Sequence, residues 1–418
     1  MSLLCRKEHQ MLATLIPLFD DNMYVCAYSV FARKENHFLN PNYEGGARYD
    51  GAGTVHELEV VSSMGVGTLS GGKEVFVPIN QFSIFAEISL QCTVPAGKVV
   101  LLMDNSIVPT EQYVKRVKEL KSQGYKLAIR KLQIADFEPY KEIISQCDYI
   151  LLNHTKIEIS KAKVYFGKVY PNVKLVAVNV DSQEEYEELK KDGGYDLYEG
   201  GFFRMPVKES ETEVSPLKVN YIELLNVINA QDFDLQEAAD VIGKDPALVI
   251  SLLEMVNRMA LNSDITSIRH AAAMLGQKEL KRWINTAVTK ELCADKPSEI
   301  TRLAMIRAKF AEGLAGPFEM GMAAQELFIM GLFSAIDIML DKPMEEALNM
   351  VQVSKNIRDA LIDNKGDFAP LLNFIRRYED ADWTEVSRLM VIDDINMDEV
   401  YEAYLNALKW YRDLFPQK

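Results

Sequence analysis

Val99-Val-Leu-Leu-Met103, Glu111-Gln-Tyr-Val-Lys-Arg-Val-Lys-Glu-Leu-Lys-Ser-Gln-Gly124 and Lys126-Leu-Ala-Ile129 follow one another along the chain. The first and third are short apolar runs without polar alternation, as expected of strands buried on both faces. Between them, Tyr113, Val114, Val117 and Leu120 share one face of a helix that stops at a glycine. The same kind of run recurs at residues 75–79, 149–152 and 174–178, so that successive runs begin 23 to 27 residues apart. Ser182-Gln-Glu-Glu-Tyr-Glu-Glu-Leu-Lys-Lys-Asp-Gly193 is another intervening helix, with a Ser N-cap, acids in its first turn and bases in its last. Strands alternating with helices at this period predict a parallel sheet, either a barrel or a doubly wound fold. No G-x-G-x-x-G follows a strand, so the dinucleotide-binding version has no support.

Beyond residue 206 the pattern changes. Val207-Lys-Glu-Ser-Glu-Thr-Glu-Val-Ser-Pro216 is polar and reads as a linker. After it, Asp234-Leu-Gln-Glu-Ala-Ala-Asp-Val-Ile-Gly243 has an Asp cap and a Gly stop, and Asp245-Pro246 opens a longer apolar helix with Pro at its first position. Residues 266–276 and 278–292 read as two more helices, and helical periodicity continues to Trp410. The fold class is therefore α/β plus all-α: a domain over 1–206, a linker over 207–216 and a helical domain over 217–418.

The chain has 418 residues, 46 Lys+Arg against 61 Asp+Glu, and a net charge of -15. Residues 1–206 carry 23 basic and 26 acidic side chains, whereas 207–418 carry 23 basic and 35 acidic. Such an acidic balance argues against a nucleic-acid partner, which needs clustered Lys and Arg for its phosphates. Cys5, Cys26, Cys92, Cys147 and Cys293 are scattered, as are His9, His37, His56, His154 and His270, so no structural zinc site is predicted. Free thiols without a signal peptide predict a cytoplasmic location. The longest apolar run, 327–340, is too short to span a bilayer and reads as one buried helix.

The order of several segments resembles the framework of an EAL domain: Ile16-Pro-Leu-Phe-Asp20, Ala27-Tyr-Ser-Val-Phe-Ala-Arg33, Val75-Phe-Val-Pro-Ile79, Gly124-Tyr-Lys-Leu-Ala-Ile-Arg-Lys131 and Tyr198-Glu-Gly-Gly-Phe-Phe-Arg-Met-Pro206. The resemblance covers about residues 10–206 and implies a TIM-like (β/α) barrel that hydrolyses cyclic di-GMP with two divalent metals. Its ligand pattern is not kept. The signature Glu-x-Leu-x-Arg begins at Ser29 and has Phe31 for Leu. Pro78 stands for a metal-binding Asn, Leu102 for a Glu, Arg130-Lys131 for an Asp-Asp pair, Asn153 for an Asp and Val178 for a Glu. Asn179 and Asp181 stand where Lys and Glu belong. Two like charges about 4 Å apart cost on the order of 4 kcal/mol at an effective dielectric near 20, so Arg130 and Lys131 would oppose a metal as well as fail to bind it. Arg33, Arg130 and Lys131 are left as candidate contacts to an anion or nucleotide, beside the plain alternative that they pack and cap a barrel. Compensating ligands would have to come from Asp104, Asp181 or Glu199.

The helical half resembles an HDOD domain, the HD-phosphohydrolase relative without its His-Asp dyad. The residues that carry this are Ala239-Asp-Val-Ile-Gly-Lys-Asp-Pro-Ala-Leu-Val-Ile-Ser-Leu-Leu253, Ser267-Ile-Arg-His-Ala-Ala-Ala-Met-Leu-Gly276 and Phe328-Ile-Met-Gly-Leu-Phe-Ser-Ala-Ile-Asp337. The dyad positions read Ser334-Ala335, which offer a metal no useful donor. Asp337 reads as a helix-surface or capping acid, and His270 as a packing and hydrogen-bonding residue rather than a catalytic base. Together the halves resemble the EAL and HDOD domain-containing signal-transduction proteins of bacteria. That resemblance implies a regulator or scaffold working through protein–protein contacts, without enzymatic activity, metal or other cofactor. A cyclic di-GMP sensor that does not cut its ligand is the first alternative, and a metal-dependent phosphodiesterase the second. The protein partner is not legible, and a homodimer through either domain is compatible with the sequence.

Overall fold

The computed structural model describes residues 11–34, 54–207, 213–230, 232–259 and 265–415. Most of the linker (208–212), with Cys5, His9 and His37, lies outside the described residues. Two compact units emerge: one of residues 1–205, 313–321 and 373–418, the other of residues 206–312 and 322–372. The first unit's leading segment ends at Met205. Residues 373–418, which read in sequence as a continuation of the helical domain, sit with the barrel.

The first unit is built on a closed eight-stranded barrel, which resolves the choice between barrel and doubly wound sheet. Its strands, in order around the barrel, are β1 (Met11–Phe19), β2 (Val25–Lys34), β3 (Glu74–Pro78), β4 (Val99–Met103), β5 (Lys126–Ile129), β6 (Tyr149–Asn153), β7 (Lys174–Val178) and β8 (Leu197–Glu199). β1 runs antiparallel to both β2 and β8, and the other pairs are parallel. Leu18, Ala27, Phe76, Val100, Leu102, Ala128, Tyr149, Leu151, Val176 and Leu197 fill the interior. Because side chains alternate faces along a strand, this set fixes which later residues point into the C-terminal mouth.

Helices Trp383–Ile392 and Met397–Leu414 belong to this unit. Tyr401, Tyr404 and Leu408 of the second meet Ala13, Leu15, Val30 and Val60 along one apolar seam. The fully buried Tyr378 hydroxyl donates to Ala13 O (2.8 Å) and accepts from Ala13 N (3.2 Å). Arg204 binds Glu379 at 3.1 Å and also pairs with Asp380.

The second unit is helical throughout its described residues. The caps expected from sequence are present: Asp234 Oδ1 accepts from Gln236 N at 2.8 Å, and Asp245 Oδ1 from Ala247 N at 2.8 Å. Helices 266–276 and 278–292 form one element, Ile268–Leu292, kinked at Gly276. The apolar run 327–340 is buried, but it forms two helices, Ala324–Phe333 and Ile336–Leu340, separated at Ser334-Ala335. Polar hydrogen bonds at Ser334 interrupt what hydropathy alone reads as continuous.

Candidate functional site

Extending the inward-facing residues of the barrel by one step brings Ser29, Pro78, Arg130, Asn153, Val178 and Glu199 to the C-terminal mouth, above Leu102. In a (β/α) barrel this end holds the functional groups. Ser29 Oγ donates to Glu199 Oε2 at 2.6 Å. Glu199 is held in place by a close backbone approach: a Cβ on Gly200 would lie 2.0 Å from Val180 O, so only glycine fits there. Burial pushes the Glu199 carboxyl upward, against the Ser29 hydrogen bond and the charge of Arg130. Glu57, in the first turn of helix His56–Ser70, accepts from Ala32 N at 3.2 Å and feels the same Arg130 charge. Arg130 Nε is buried without a hydrogen-bond partner.

Of the three sequence candidates, Arg130 therefore stands in the mouth with Ser29, Glu57 and Glu199. Lys131 leaves the strand in a left-handed conformation (φ 63°), and its Nζ bonds Asp104 Oδ2 at 3.1 Å. Burial raises the Asp104 carboxyl, but the hydrogen bonds from Ser106 and Lys131 outweigh it and hold the group below its ordinary value. Arg33 is partly buried near the end of β2, opposite Leu12 and about 13 Å along the strand from Ser29. Asp181 is exposed beyond β7. Asp104, Asp181 and Glu199 do not converge: among the described residues, no three His, Cys, Asp or Glu side chains are placed to hold a metal. The donors present do not fit a two-metal centre, because Ser29, Pro78, Leu102 and Arg130 supply a hydroxyl, two apolar groups and a cation.

Glu57 was missed in sequence, since one acid in a helix first turn looks like a dipole partner. Burial raises its carboxyl from 4.5 to about 7, despite the backbone hydrogen bonds and Arg130. The folded chain thus keeps a proton that the unfolded chain releases, so this group costs stability as pH rises from 4.5 to about 7. Below that window the cost is absent, and above it the cost is complete. Glu57→Gln is expected to leave Tm nearly unchanged at about pH 5 and to raise it at about pH 8. Allowing for partial solvation, the gain is about 1–2 kcal/mol, or roughly 3–6 °C. Thermal melts of both chains at the two pH values check this; a difference that does not vary with pH contradicts it.

In the helical unit, Ser334 Oγ donates to Gly331 O at 2.7 Å and accepts from Arg307 Nη1 at 3.1 Å. Ala335 is fully buried. Asp337 is not the surface acid expected: it is 2 % exposed, and Oδ2 accepts from Val207 N at 3.2 Å. Burial raises its carboxyl, opposed by backbone hydrogen bonds and Arg307. His270 is likewise not a packing residue. It is exposed in the first turn of its helix, and its backbone N donates to Ser267 Oγ at 3.4 Å.

The sequence pattern of the HDOD domain matches residues 214–362, so this stretch is an HDOD domain. The chain pairs a closed eight-stranded barrel with it. Over nearly its whole length it is similar to two bacterial proteins. One is the uncharacterized protein YuxH of Bacillus subtilis, 27% identical over 413 residues, 96% of this chain and 98% of that protein. The other is the cyclic di-GMP phosphodiesterase CdgJ of Vibrio cholerae, 23% identical over 407 residues, 95% of this chain and 91% of that protein. Among solved structures, a standalone EAL protein from Vibrio cholerae O395 in its c-di-GMP-bound form aligns with 50% of this chain and 97% of its own, at 15% identity and a TM-score of 0.36. Among the described residues, no helix is long and apolar enough to cross a membrane.

Proposed function

We propose that this chain is a non-hydrolytic signal-transduction regulator of EAL–HDOD type, acting in the cytoplasm through protein–protein contacts. The observation that carries this reading is the composition of the barrel mouth. Arg130 acts on Glu57 and Glu199, and Ser29 is closed onto Glu199. A guanidinium whose charge reaches both carboxyls offsets the negative charge that a pair of divalent cations would need. The dyad position of the second unit supports the same reading, because Ser334 is engaged by Arg307 and Gly331 and Ala335 has no donor. Fully exposed Met322 offers an adaptable contact for a partner.

A second reading retains cyclic di-GMP, the compound in the name of the Vibrio cholerae relative, as a ligand bound and not cut. It is favoured by the buried, unpartnered Nε of Arg130, a donor without an acceptor. One calorimetric experiment on the full chain tests both readings. Mn²⁺ is expected to give no stoichiometric uptake, and uptake near one or two ions per chain would overturn the non-hydrolytic reading. Cyclic di-GMP added to the same samples decides the ligand. Saturable micromolar binding that Arg130→Ala abolishes supports the sensor, and no binding leaves the scaffold.

A further inference from the structure

The helical unit contains a cleft unrelated to the dyad position. It lies between helices Ile268–Leu292, Ser298–Gly313 and Ala324–Phe333, and occupies about 300 Å³ including the part open to solvent. Lys278, Lys281, Arg282 and Asn285 line it from the first helix, Glu312 from the second and Phe328 from the third. This is a basic site in a half of the chain with 35 acidic and 23 basic residues.

Its groups are unequally satisfied. Arg282 pairs with Glu312, approaches Glu279 at 3.5 Å and lies 5.7 Å from the Phe328 ring centre. Glu312 also receives Lys309 at 2.7 Å. That network is internally neutralised. Lys281 and Lys278 have no ion pair among the described residues, and Lys281 is half-buried, where an unpaired ammonium is costly. Asn285 is 1% exposed. Its Nδ2 donates to Lys281 O at 2.9 Å, which identifies the other amide atom as the oxygen, and that Oδ1 is buried without a partner. The cleft thus presents two cations outside any ion pair, Lys281 feeling only the charge of Glu326, beside a buried acceptor.

We propose that this cleft binds a hydrogen-phosphate group, free or as a small monoester, with Lys278 and Lys281 neutralising its charge and Asn285 Oδ1 accepting its O–H. A sulfate or carboxylate at neutral pH brings the negative charge but no proton for Asn285, so it leaves that acceptor unpaired. Phosphate supplies both.

The test is calorimetric titration of the full chain in a chloride buffer with inorganic phosphate, ethyl phosphate and sulfate. Saturable phosphate binding is expected, with sulfate weaker by about tenfold, the effect of one unpaired buried acceptor. Lys281→Gln, which removes the charge at a half-buried position, is expected to keep the wild-type melt and to weaken phosphate by about tenfold or more. Asn285→Asp keeps the shape but adds a repelling charge, and is expected to abolish binding. Should that buried variant fail to fold, Lys281→Gln and the sulfate comparison still decide. Tighter ethyl phosphate assigns the ligand as an ester, and weaker ethyl phosphate assigns free phosphate; both uphold the site. The proposal is overturned by no saturable phosphate binding up to about 10 mM, by equal affinity for sulfate, or by an unaltered Lys281→Gln. None of these outcomes depends on the barrel reading.

Discussion

A fragment ending at residue 206 is expected to fail to fold as a cooperative unit, although it contains every strand of the barrel. The reason lies in β1. Its pairing with β8 is confined to Leu18 and Phe19, so its first half has a partner strand on one side only. At Ala13 the Tyr378 hydroxyl supplies both a donor and an acceptor, as a neighbouring strand would. Without it, an exposed strand edge and two unmet backbone groups remain. The fragment also bares the seam that Tyr401, Tyr404 and Leu408 cover. Each large apolar side chain so uncovered removes about 1.5–3 kcal/mol. A handful of them reaches the roughly 5–15 kcal/mol by which a whole domain is stable. Circular dichroism melts and limited proteolysis of the fragment beside the full chain measure this. A cooperative transition within a few degrees of the full chain's would show that residues 373–418 are dispensable to the barrel.

Gly331→Ala is expected to produce the second large effect, in the other unit. Helix Ala324–Phe333 crosses helix Ser298–Gly313 so closely that a Cβ on Gly331 would lie 2.5 Å from Arg307 O and 2.7 Å from Ala308 Cα. Both are backbone atoms and cannot rotate away. The helices must part, loosening Ser334 from Arg307 and widening the cleft whose walls carry Glu312 and Phe328. The cost is about 3 kcal/mol or more, overpacking against rigid partners. For a unit of this size that lowers Tm by about 6–12 °C. A melt within about 2 °C of wild type would mean that the helices have room to spare.

Much of the fold was legible because its pieces are local. β3 to β7 lie within a residue of the apolar runs that predict them, since fully buried parallel strands carry their signal in composition. β1 and β2 form a hairpin without an intervening helix, so they fall outside the repeating period. Helical periodicity likewise identifies Met397–Leu414 as amphipathic without saying what its apolar face covers, and that face turns out to serve the barrel. The site was legible only in part. Arg130 and Glu199 follow from their place on inward-facing strand positions. Lys131, one residue further, is carried to Asp104 by a left-handed turn that composition does not announce. Glu57 comes from a distant segment, and nothing around it marks a buried carboxyl. Asp337 read as a helix-surface or capping acid within one continuous helix, whereas it lies buried in the first turn of a second one, Ile336–Leu340.

The central claim is that the barrel mouth does no two-metal hydrolysis. Incubating the purified full chain with cyclic di-GMP and Mn²⁺ or Mg²⁺, and resolving the linear dinucleotide by chromatography, tests it most directly. The expected result is no product above the protein-free control with either ion. Metal-dependent, saturable formation of the linear product that Glu199→Gln abolishes would contradict it.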